Sequence, residues 1–256
     1  MSVACLGEIL VEIRGNRHLA EGLNLKVSIG GLASKIATKL SSLGVNTGFF
    51  GAVGNDVFGK FLIKTLNSEG VNTENIIVKD LRTSLVMVLG SDVKVFFRKP
   101  YFNSADTELT INDVNLDEIL EYDALLYTLL SLTENPLKHT IHYIAKTMFK
   151  NGRKTFFHIH PILPYTLSHE EITSILKYTS YVLIDHDVLP LFGTSKAKTL
   201  THIIFKKASS VKEVAIVYDN KVLIYYRGGY EETLATCYHG KVKCIATYLV
   251  KRLREK

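Results

Sequence analysis

Strand-like apolar segments alternate with amphipathic helical segments along this chain, most regularly in its second half. The segments 124–130, 155–160 and 181–184 are short and apolar, as buried strands are, and a segment with helical periodicity follows each of them. Strands separated by helices form βαβ units, in which the strands run parallel and the helices cover both faces of the sheet. The sequence therefore predicts an α/β fold, a three-layer and mainly parallel sheet, in a single domain over residues 1–256.

The first half of the chain carries a pair of glycines at the start of a helix. Residues 3–13 predict one strand and residues 23–29 a second, which runs into Gly30 and Gly31. The helix that follows has its apolar residues on one face and ends at Gly44. Glycines let a ligand approach the backbone, and the first amides of a helix point outward, which suits a polyhydroxyl or anionic ligand. A tight turn without a ligand is an equally good interpretation of the glycine pair.

Three segments together resemble the ribokinase-like (PfkB-type) carbohydrate kinases. They are the opening segment 7–12, the glycine pair with its helix to Gly44, and the glycine-rich segment 51–59, which residues 70–73 complete. In this order and at this spacing they are similar to the family over nearly the whole chain. The resemblance implies transfer of a phosphoryl group from ATP to a sugar hydroxyl, beneath a small β-lid within about residues 12–29 and 83–98. Such lids often pair between subunits, so a homodimer through the lid is expected.

The resemblance also implies which residues contact the sugar. By position these residues are Glu12, Gly30, Gly31 and Lys35. The first and the last of them stand where the family has Asp and Asn. Residues 96–98 and 105–110 show a closer similarity, to 2-keto-3-deoxygluconate kinases. The tyrosine of that motif is Phe96 here, so what the similarity implies about the substrate rests on Arg98 alone. It implies that Arg98 grips the carboxylate of a sugar acid, a task that suits a planar guanidinium.

The catalytic signature of the family is the part that departs most from the pattern. In the family a late helix begins with Gly-Ala-Gly-Asp, whose amides hold the transferred phosphoryl group and whose Asp accepts the proton of the sugar hydroxyl. Tyr238, His239, Gly240 and Lys241 stand at these positions. An ammonium group cannot accept a proton, and losing a general base typically lowers the rate by a factor on the order of 10²–10⁴. Lys241 thus occupies the position of the base but cannot accept the proton. His239 is another candidate for the base. Gly240 keeps the contact to the anion that the resemblance implies.

The nucleotide side has changed as well. The Asn-x-x-Glu motif that the family uses near the phosphates falls at residues 184–187, where Asp187 keeps a carboxylate and Ile184 offers nothing polar. Residues 216–221 stand at the nucleotide-binding Thr-x-Gly turn and contain neither of its defining residues. The chain continues only briefly beyond the helix of Lys241, whereas the family continues through helices near the adenine. ATP and Mg²⁺ are the expected cofactors of an active enzyme, and an inactive one needs none.

Two functions from different classes follow from this pattern. One is a non-catalytic descendant that binds a sugar-like ligand or dimerises, which the losses at Lys241, Ile184 and residues 216–221 favour. The other is an active ATP-dependent sugar or sugar-acid kinase with a non-standard base, which the retained glycine motifs and Arg98 favour. We favour the first for mechanism. A nucleotide pocket beside Gly240 is the feature that separates the two.

The net charge of +6 bears on the partners of the protein. A basic chain favours anionic partners, but much of the excess lies in residues 251–256, where cations suit a helix C-terminus and need no partner. Residues 225–227 combine two tyrosines with an arginine, which leaves an RNA-associated surface as a third idea. The sequence contains no nucleic-acid-binding motif, so a sugar or sugar acid is the expected partner and nucleic acid is not.

The sequence predicts neither a membrane segment nor a metal site. The N-terminus lacks the pattern of a signal peptide and no apolar run is long enough to span a membrane, so a cytoplasmic protein is expected. His158 and His160 alternate on one strand and therefore face the same side, but neither they nor residues 185–187 have an evident third ligand. A histidine pair at a strand end that lines a pocket is the favoured interpretation.

Overall fold

The computed structural model describes residues 1–15, 25–90, 93–161, 169–229, 231–234 and 240–255. The strands in these ranges are β1 (Ser2–Leu6), β2 (Leu10–Gly15), β3 (Lys26–Gly30), β4 (Asn46–Gly54), β5 (Ile76–Lys79), β6 (Leu85–Leu89), β7 (Val93–Phe97), β8 (Ala124–Thr128), β9 (Lys154–Ile159), β10 (Tyr181–Asp185), β11 (Glu213–Val217), β12 (Val222–Tyr226) and β13 (Glu231–Leu234). The α-helices are α1 (Leu32–Ser42), α2 (Val57–Ser68), α3 (Leu116–Leu120), α4 (Leu137–Lys150), α5 (His169–Leu176), α6 (Ala197–Lys207) and α7 (Lys241–Arg254). Short 3-10 helices lie at Ala105–Glu108, Ile111–Asp113, Leu130–Leu132 and His186–Phe192.

Nine of the described strands form one large sheet, in the order β13-β12-β11-β10-β9-β8-β1-β4-β5. The strands from β11 to β5 in this order all pair in parallel, and β12 and β13 extend the sheet in antiparallel orientation. Parallel neighbours need a crossover connection, usually a helix, between them. The arrangement confirms the mainly parallel sheet that the alternation of strand-like and helical segments predicted.

Both faces of the large sheet are buried, as the side chains of β8 illustrate. Leu125 and Tyr127 belong to one apolar core, and Ala124 and Leu126 belong to the other, because successive residues of a strand point to opposite faces. The first core also contains apolar residues of α3, α4, α5 and α6, and the second contains those of α1, α2 and α7. Helices therefore cover both faces, in the three-layer arrangement expected.

The opening segment forms two strands, and the prediction of a single strand over residues 3–13 is wrong. β1 lies within the large sheet, whereas β2 pairs with β3 and β6 in a separate sheet. The chain leaves the large sheet at Gly7, which has a φ of +145° and where a Cβ atom would collide with the side chain of Ser131. β1 is largely buried and β2 begins with the buried apolar residues Leu10 and Val11, so the hydrophobic pattern hides the break between the strands.

The smaller sheet has the strand order β3-β2-β6-β7. It falls mostly within the stretches expected for the lid, although β2 begins two residues earlier, at Leu10, and residues 16–24 and 91–92 lie outside the described ranges. Because β2 begins shortly after the carboxyl end of β1, the smaller sheet stands at that edge of the parallel strands. This position leaves a cleft between the two sheets.

Candidate functional site

A cleft of about 340 Å³ lies between the smaller sheet and the carboxyl edge of the large one. Strands β2, β6 and β7 line one side, and the ends of β9 and β10 with the starts of α1 and α7 line the other. Ligands of open α/β sheets bind beyond the carboxyl ends of the strands, so this is the position expected for a functional site. The sequence-predicted site residues that line the cleft are Glu12, Gly31, Lys35, Asp187 and Lys241.

Glu12, on β2, carries a carboxylate that two cations hold in place. Its oxygens accept hydrogen bonds from the Lys35 ammonium and from the Arg14 guanidinium, each at 2.7 Å. Burial by itself raises the pKa of Glu12, but the hydrogen bonds and charges of Lys35 and Arg14 outweigh burial and lower that pKa. Glu12 is therefore an ionised acceptor at neutral pH, with a cationic donor beside it. Such a pair suits the hydroxyl groups of a sugar.

The N-terminus of α1 is occupied by a carboxylate of the chain itself. Oε1 of Glu8, whose side chain is fully buried, accepts the amides of Leu32 and Ala33 at 2.9 and 3.1 Å. The other oxygen accepts the hydroxyl hydrogens of Thr128, at 2.6 Å, and of Ser131. The structure thus corrects the expectation that these amides face a ligand, because the negative charge that a helix N-terminus favours is already supplied by Glu8.

The glycine pair is explained by packing. Gly31 has a φ of +87°, which residues with a side chain rarely adopt, and a Cβ atom on Gly30 would collide with Leu10 of the neighbouring β2. The tight-turn interpretation therefore accounts for both residues. Gly31 also lines the cleft, where its lack of a side chain leaves the backbone accessible, whereas Gly30 does not line it.

Arg98, the expected carboxylate contact, lies away from the cleft. Its side chain is fully buried directly after β7, where Nε donates to Asp106 Oδ2 at 2.8 Å and Nη1 donates to Thr133 Oγ1 at 2.9 Å. Ser84 donates a further hydrogen bond to Asp106. A buried guanidinium needs a carboxylate partner, and Asp106 supplies it from within the chain. The structure therefore does not bring Arg98 together with the other predicted sugar contacts.

Lys94 is a cation of the cleft that the sequence patterns did not single out. It lies on β7, two residues before Phe96, and both side chains line the cleft. Alternate residues of a strand share a face, so the period of two that directs Phe96 to the cleft also directs Lys94 there. That signal was present in the sequence, but the family motif drew attention to Arg98, two residues beyond Phe96.

Lys241 begins α7 and is surrounded by carboxylates. Its ammonium donates a hydrogen bond to Asp187 and lies 3.7 Å from Asp185 Oδ2 and 4.0 Å from Asp219 Oδ1. Burial by itself lowers the pKa of this ammonium, but the hydrogen bond to Asp187 and the charges of all three carboxylates outweigh burial and raise that pKa above its ordinary value. Lys241 is therefore a cation at neutral pH and not a base. The second sequence candidate for the base, His239, lies outside the described residues.

A buried histidine–aspartate pair lies beside Lys241. His158 Nε2 and Asp185 Oδ1 are 2.9 Å apart, the His158 side chain is fully buried, and that of Asp185 is 9% exposed. As the strand pattern predicted, His158 and His160 share a face, and both line the cleft with ring centroids 5.5 Å apart. Asp185 is a site residue that sequence reasoning missed, because the family motif pointed to Ile184, which lies in the apolar core.

His160 makes the folding stability depend on pH. Burial, reinforced by the neighbouring His158, lowers the pKa of His160 from 6.5 to about 3. Between these values the unfolded chain binds a proton that the folded protein does not, so this stability is full above about pH 6.5 and is lost as the pH falls. Between pH 7 and pH 5 we expect the wild type to lose about 1–2 kcal/mol more unfolding free energy than His160→Asn. Urea unfolding at both pH values measures the difference, and equal losses would contradict it.

Metal and membrane features are absent from the described part of the chain. No group of three or more His, Cys, Asp or Glu side chains within the described ranges is arranged to hold a metal ion. None of the helices in those ranges is both long enough and apolar enough to cross a membrane.

The parallel sheet, the small sheet over its carboxyl edge and the polar cleft between them define a ribokinase-like sugar kinase fold. Residues 1–242 match the model of the pfkB family carbohydrate kinases, and the chain belongs to this family. It is 26% identical to a 5-dehydro-2-deoxygluconokinase of Clostridium botulinum over 93% of this chain and 71% of that protein. It is also 26% identical to a protein of the same name from Geobacillus thermodenitrificans, over 66% of this chain and only 52% of that protein.

Solved sugar kinases share the fold at low sequence identity. A fructokinase from Xylella fastidiosa aligns with 100% of this chain and 82% of its own, with a TM-score of 0.85 and 16% identity. An uncharacterized sugar kinase from Pyrococcus horikoshii, crystallised in complex with ATP, aligns with 100% of this chain and 86% of its own, with a TM-score of 0.81 and 19% identity. These likenesses establish the fold of the chain.

Proposed function

We propose that the protein is an ATP-dependent kinase that phosphorylates a hydroxyl group of a sugar acid. The observation that carries the proposal is a single cleft lined by two sets of charged residues. One set is Glu12, its ion-pair partner Lys35, and Lys94, and the other is Asp185 and Lys241. Groups that suit a sugar acid therefore line the same cavity as groups that suit phosphoryl transfer. The similar proteins named 5-dehydro-2-deoxygluconokinase support this substrate class, because a gluconate derivative is a sugar acid.

The part of the cleft where the transferred group would lie combines a helix N-terminus with one ammonium group. Gly240, with a φ of +91°, precedes the 14-residue helix α7, whose N-terminus favours negative charge. Lys241 adds an ammonium group, and its hydrogen bond to Asp187 holds that ammonium in place. Phosphoryl transfer depends mainly on positioning and on stabilising charge on the transferred group. We therefore assign Gly240 and Lys241 to the phosphoryl group and Asp187 to the orientation of Lys241.

The sugar end supplies both hydroxyl and carboxylate recognition. Glu12 and Lys35 form an acceptor and donor pair for hydroxyl groups. Lys94 presents an ammonium from β7, and we assign it to the substrate carboxylate in place of Arg98, whose guanidinium pairs with Asp106. A cation in this position distinguishes a sugar acid from a neutral sugar of similar size.

The proposal is tested by measuring ADP release from ATP–Mg²⁺ with 5-dehydro-2-deoxygluconate, 2-dehydro-3-deoxygluconate and fructose. We expect turnover with a sugar acid and little with fructose. Lys94→Met should raise KM for the sugar acid about 10- to 100-fold, since a hydrogen bond to a charged group is worth about 1.5–3 kcal/mol. Lys26→Met is the matched control, because Lys26 lies on β3 of the same sheet, is exposed and does not line the cleft. No turnover with any of these substrates would overturn the proposal.

Sugar-acid binding without phosphoryl transfer is the second candidate function. It is favoured by Lys241, a cation at the position where the family has its catalytic base. A ligand that binds only the folded protein raises the unfolding midpoint. A sugar acid that raises this midpoint while no ADP forms would therefore establish the second function and exclude the first.

Dimerisation through the lid stays a prediction. β3 and β7 are the edge strands of the smaller sheet, and Val27 and Val95 on them are 45% and 42% exposed. Apolar side chains on unpaired edge strands favour association with another chain. We propose a second copy of this chain as the partner, in keeping with the family expectation.

A further inference from the structure

The two oxygens of Asp185 have different surroundings. Oδ1 is held by His158 Nε2 at 2.9 Å. Oδ2 accepts no hydrogen bond from the described residues, and Lys241 Nζ lies 3.7 Å from it. Both Asp185 and Lys241 line the cleft. Asp185 therefore has one anchored oxygen and one oxygen available to a ligand.

We propose that Asp185, at the end of β10, is the general base that replaces the catalytic Asp of the family, and that His158 positions it. The inference rests on the proposed kinase function. In the family the carboxylate lies at the start of the late helix, where this chain has Lys241. Here the helix start carries the positive charge and the adjacent strand end carries the negative one. Both elements line the cleft beside each other. We infer that the carboxylate lies on a strand here and on a helix in the family, but at the same part of the site.

The other carboxylates of the cleft are already engaged. Both oxygens of Glu12 accept hydrogen bonds, one from Arg14 and one from Lys35. Asp187 accepts the hydrogen bond of Lys241, and its side chain is 59% exposed. Among the carboxylates of the described residues that line the cleft, Asp185 alone combines burial, a fixed orientation and an oxygen without a hydrogen bond.

His158 fixes the orientation of Asp185. Its Nδ1 is buried and has no hydrogen-bond partner within the described ranges. A proton on Nδ1 would be buried without an acceptor, which is costly, so we assign Nε2 as the nitrogen that donates a hydrogen bond to Asp185 Oδ1. Burial by itself raises the pKa of Asp185, but the contact with His158 and the charge of Lys241 outweigh burial and lower it. Asp185 is therefore ionised and able to accept a proton.

The proposed reaction transfers one proton and one phosphoryl group. Oδ2 of Asp185 accepts the proton of the substrate hydroxyl while the hydroxyl oxygen bonds to the γ-phosphorus of ATP. The bond between that phosphorus and the bridging oxygen of ADP breaks, and its electron pair leaves with ADP. The products are the phosphate ester, ADP and a proton that passes from Asp185 to solvent on product release. Lys241 keeps its proton throughout and offsets the charge of the transferred group.

Kinetics of Asp185→Asn test the base. Asn keeps the size of the side chain and an acceptor for His158 but cannot take a proton, so we expect kcat to fall by about 10²–10⁴-fold with KM changed less than about threefold. The control is Asp219→Asn, which removes another carboxylate beside Lys241, one that is 88% exposed and outside the cleft. Its kcat should stay within about threefold of the wild type.

His158 is tested as a positioning residue by two variants of different chemistry. His158→Gln keeps a donor for Asp185, whereas His158→Phe keeps bulk without a donor. We expect the glutamine variant to retain more of kcat than the phenylalanine variant, with KM for the sugar acid similar in both. Equal kcat values in the two variants would contradict the positioning role, because a role in packing alone does not require a donor.

Moving the carboxylate back to α7 separates catalysis from folding. The double variant Asp185→Asn, Lys241→Asp should have a kcat at least about tenfold higher than that of Asp185→Asn. A purely structural role of Asp185 would not produce this increase. Full turnover in Asp185→Asn, or its loss in His239→Ala but not in Asp185→Asn, would overturn the inference and leave the kinase function standing. Absence of turnover in the wild type would overturn both.

Discussion

Glu8→Ala is expected to lower the unfolding free energy by about 3–5 kcal/mol. The buried carboxylate accepts hydrogen bonds from two amides at the start of α1 and from the hydroxyls of Thr128 and Ser131. Removing it leaves four donors without their acceptor, but the hydroxyls of Thr128 and Ser131 lie 3.5 Å apart and can turn toward each other. The two amides of α1 stay unsatisfied, at about 1–3 kcal/mol for each buried donor. Urea unfolding followed by circular dichroism measures the change.

Two further variants sharpen this experiment. Glu8→Gln keeps the shape and one acceptor oxygen, so its loss should lie between that of the wild type and that of Glu8→Ala. Glu74→Ala removes an exposed glutamate and should change the unfolding free energy by less than about 0.5 kcal/mol. A loss below about 1 kcal/mol for Glu8→Ala would show that water replaces the carboxylate at α1. The helix N-terminus would then be open to a ligand after all.

Arg98→Met is expected to cost about 3–5 kcal/mol of unfolding free energy, because it leaves the Asp106 carboxylate buried without its cation. The side chains of Arg98 and Asp106 are both fully buried, and Arg98 Nε lies 2.8 Å from Asp106 Oδ2. The same denaturation experiment measures the loss. The double variant Arg98→Met, Asp106→Asn should recover part of it, since no charge then remains buried.

The result for Arg98 also decides between two roles. If Arg98 bound the substrate carboxylate, as the family resemblance implies, Arg98→Met would fold with nearly wild-type stability and raise KM for the sugar acid. The ion pair with Asp106 predicts the opposite division, in which Arg98 affects stability and Lys94 affects KM. Measuring both quantities in Arg98→Met and Lys94→Met separates the roles without further assumptions.

The changes at the family's catalytic positions acquire a common explanation in the structure. Lys241 removes the family's carboxylate but brings a cation to within 3.7 Å of Asp185 Oδ2. If Asp185 is the base, as proposed above, the loss of the carboxylate at position 241 and the carboxylate of Asp185 at the strand end are one exchange of charge at the same place in the cleft. On sequence alone these changes favoured an inactive descendant, and the geometry of the cleft favours the active alternative.

Local patterns were predicted more accurately than the ends of elements. Thr110 and Asp113 are three residues apart in the sequence, a spacing that predicts a capping box, and the box is present because it depends on local geometry. The apolar pattern of residues 111–120 predicts a single helix, but the structure has a 3-10 turn at Ile111–Asp113 followed by α3 at Leu116–Leu120. Periodicity marks the buried face of such a segment but not an interruption within it.

The sequence by itself determined the α/β class, the mainly parallel sheet with helices on both faces, and the family. Hydrophobic periodicity, caps and glycine spacing are properties of short segments, so they can be recognised in the sequence before any tertiary contact is known. Only the tertiary structure decided that Glu8 closes the N-terminus of α1, that Arg98 turns inward to Asp106, and that Asp185 meets Lys241. These partners lie on different elements, and the charge or hydrogen bond that each side chain finds depends on how those elements pack.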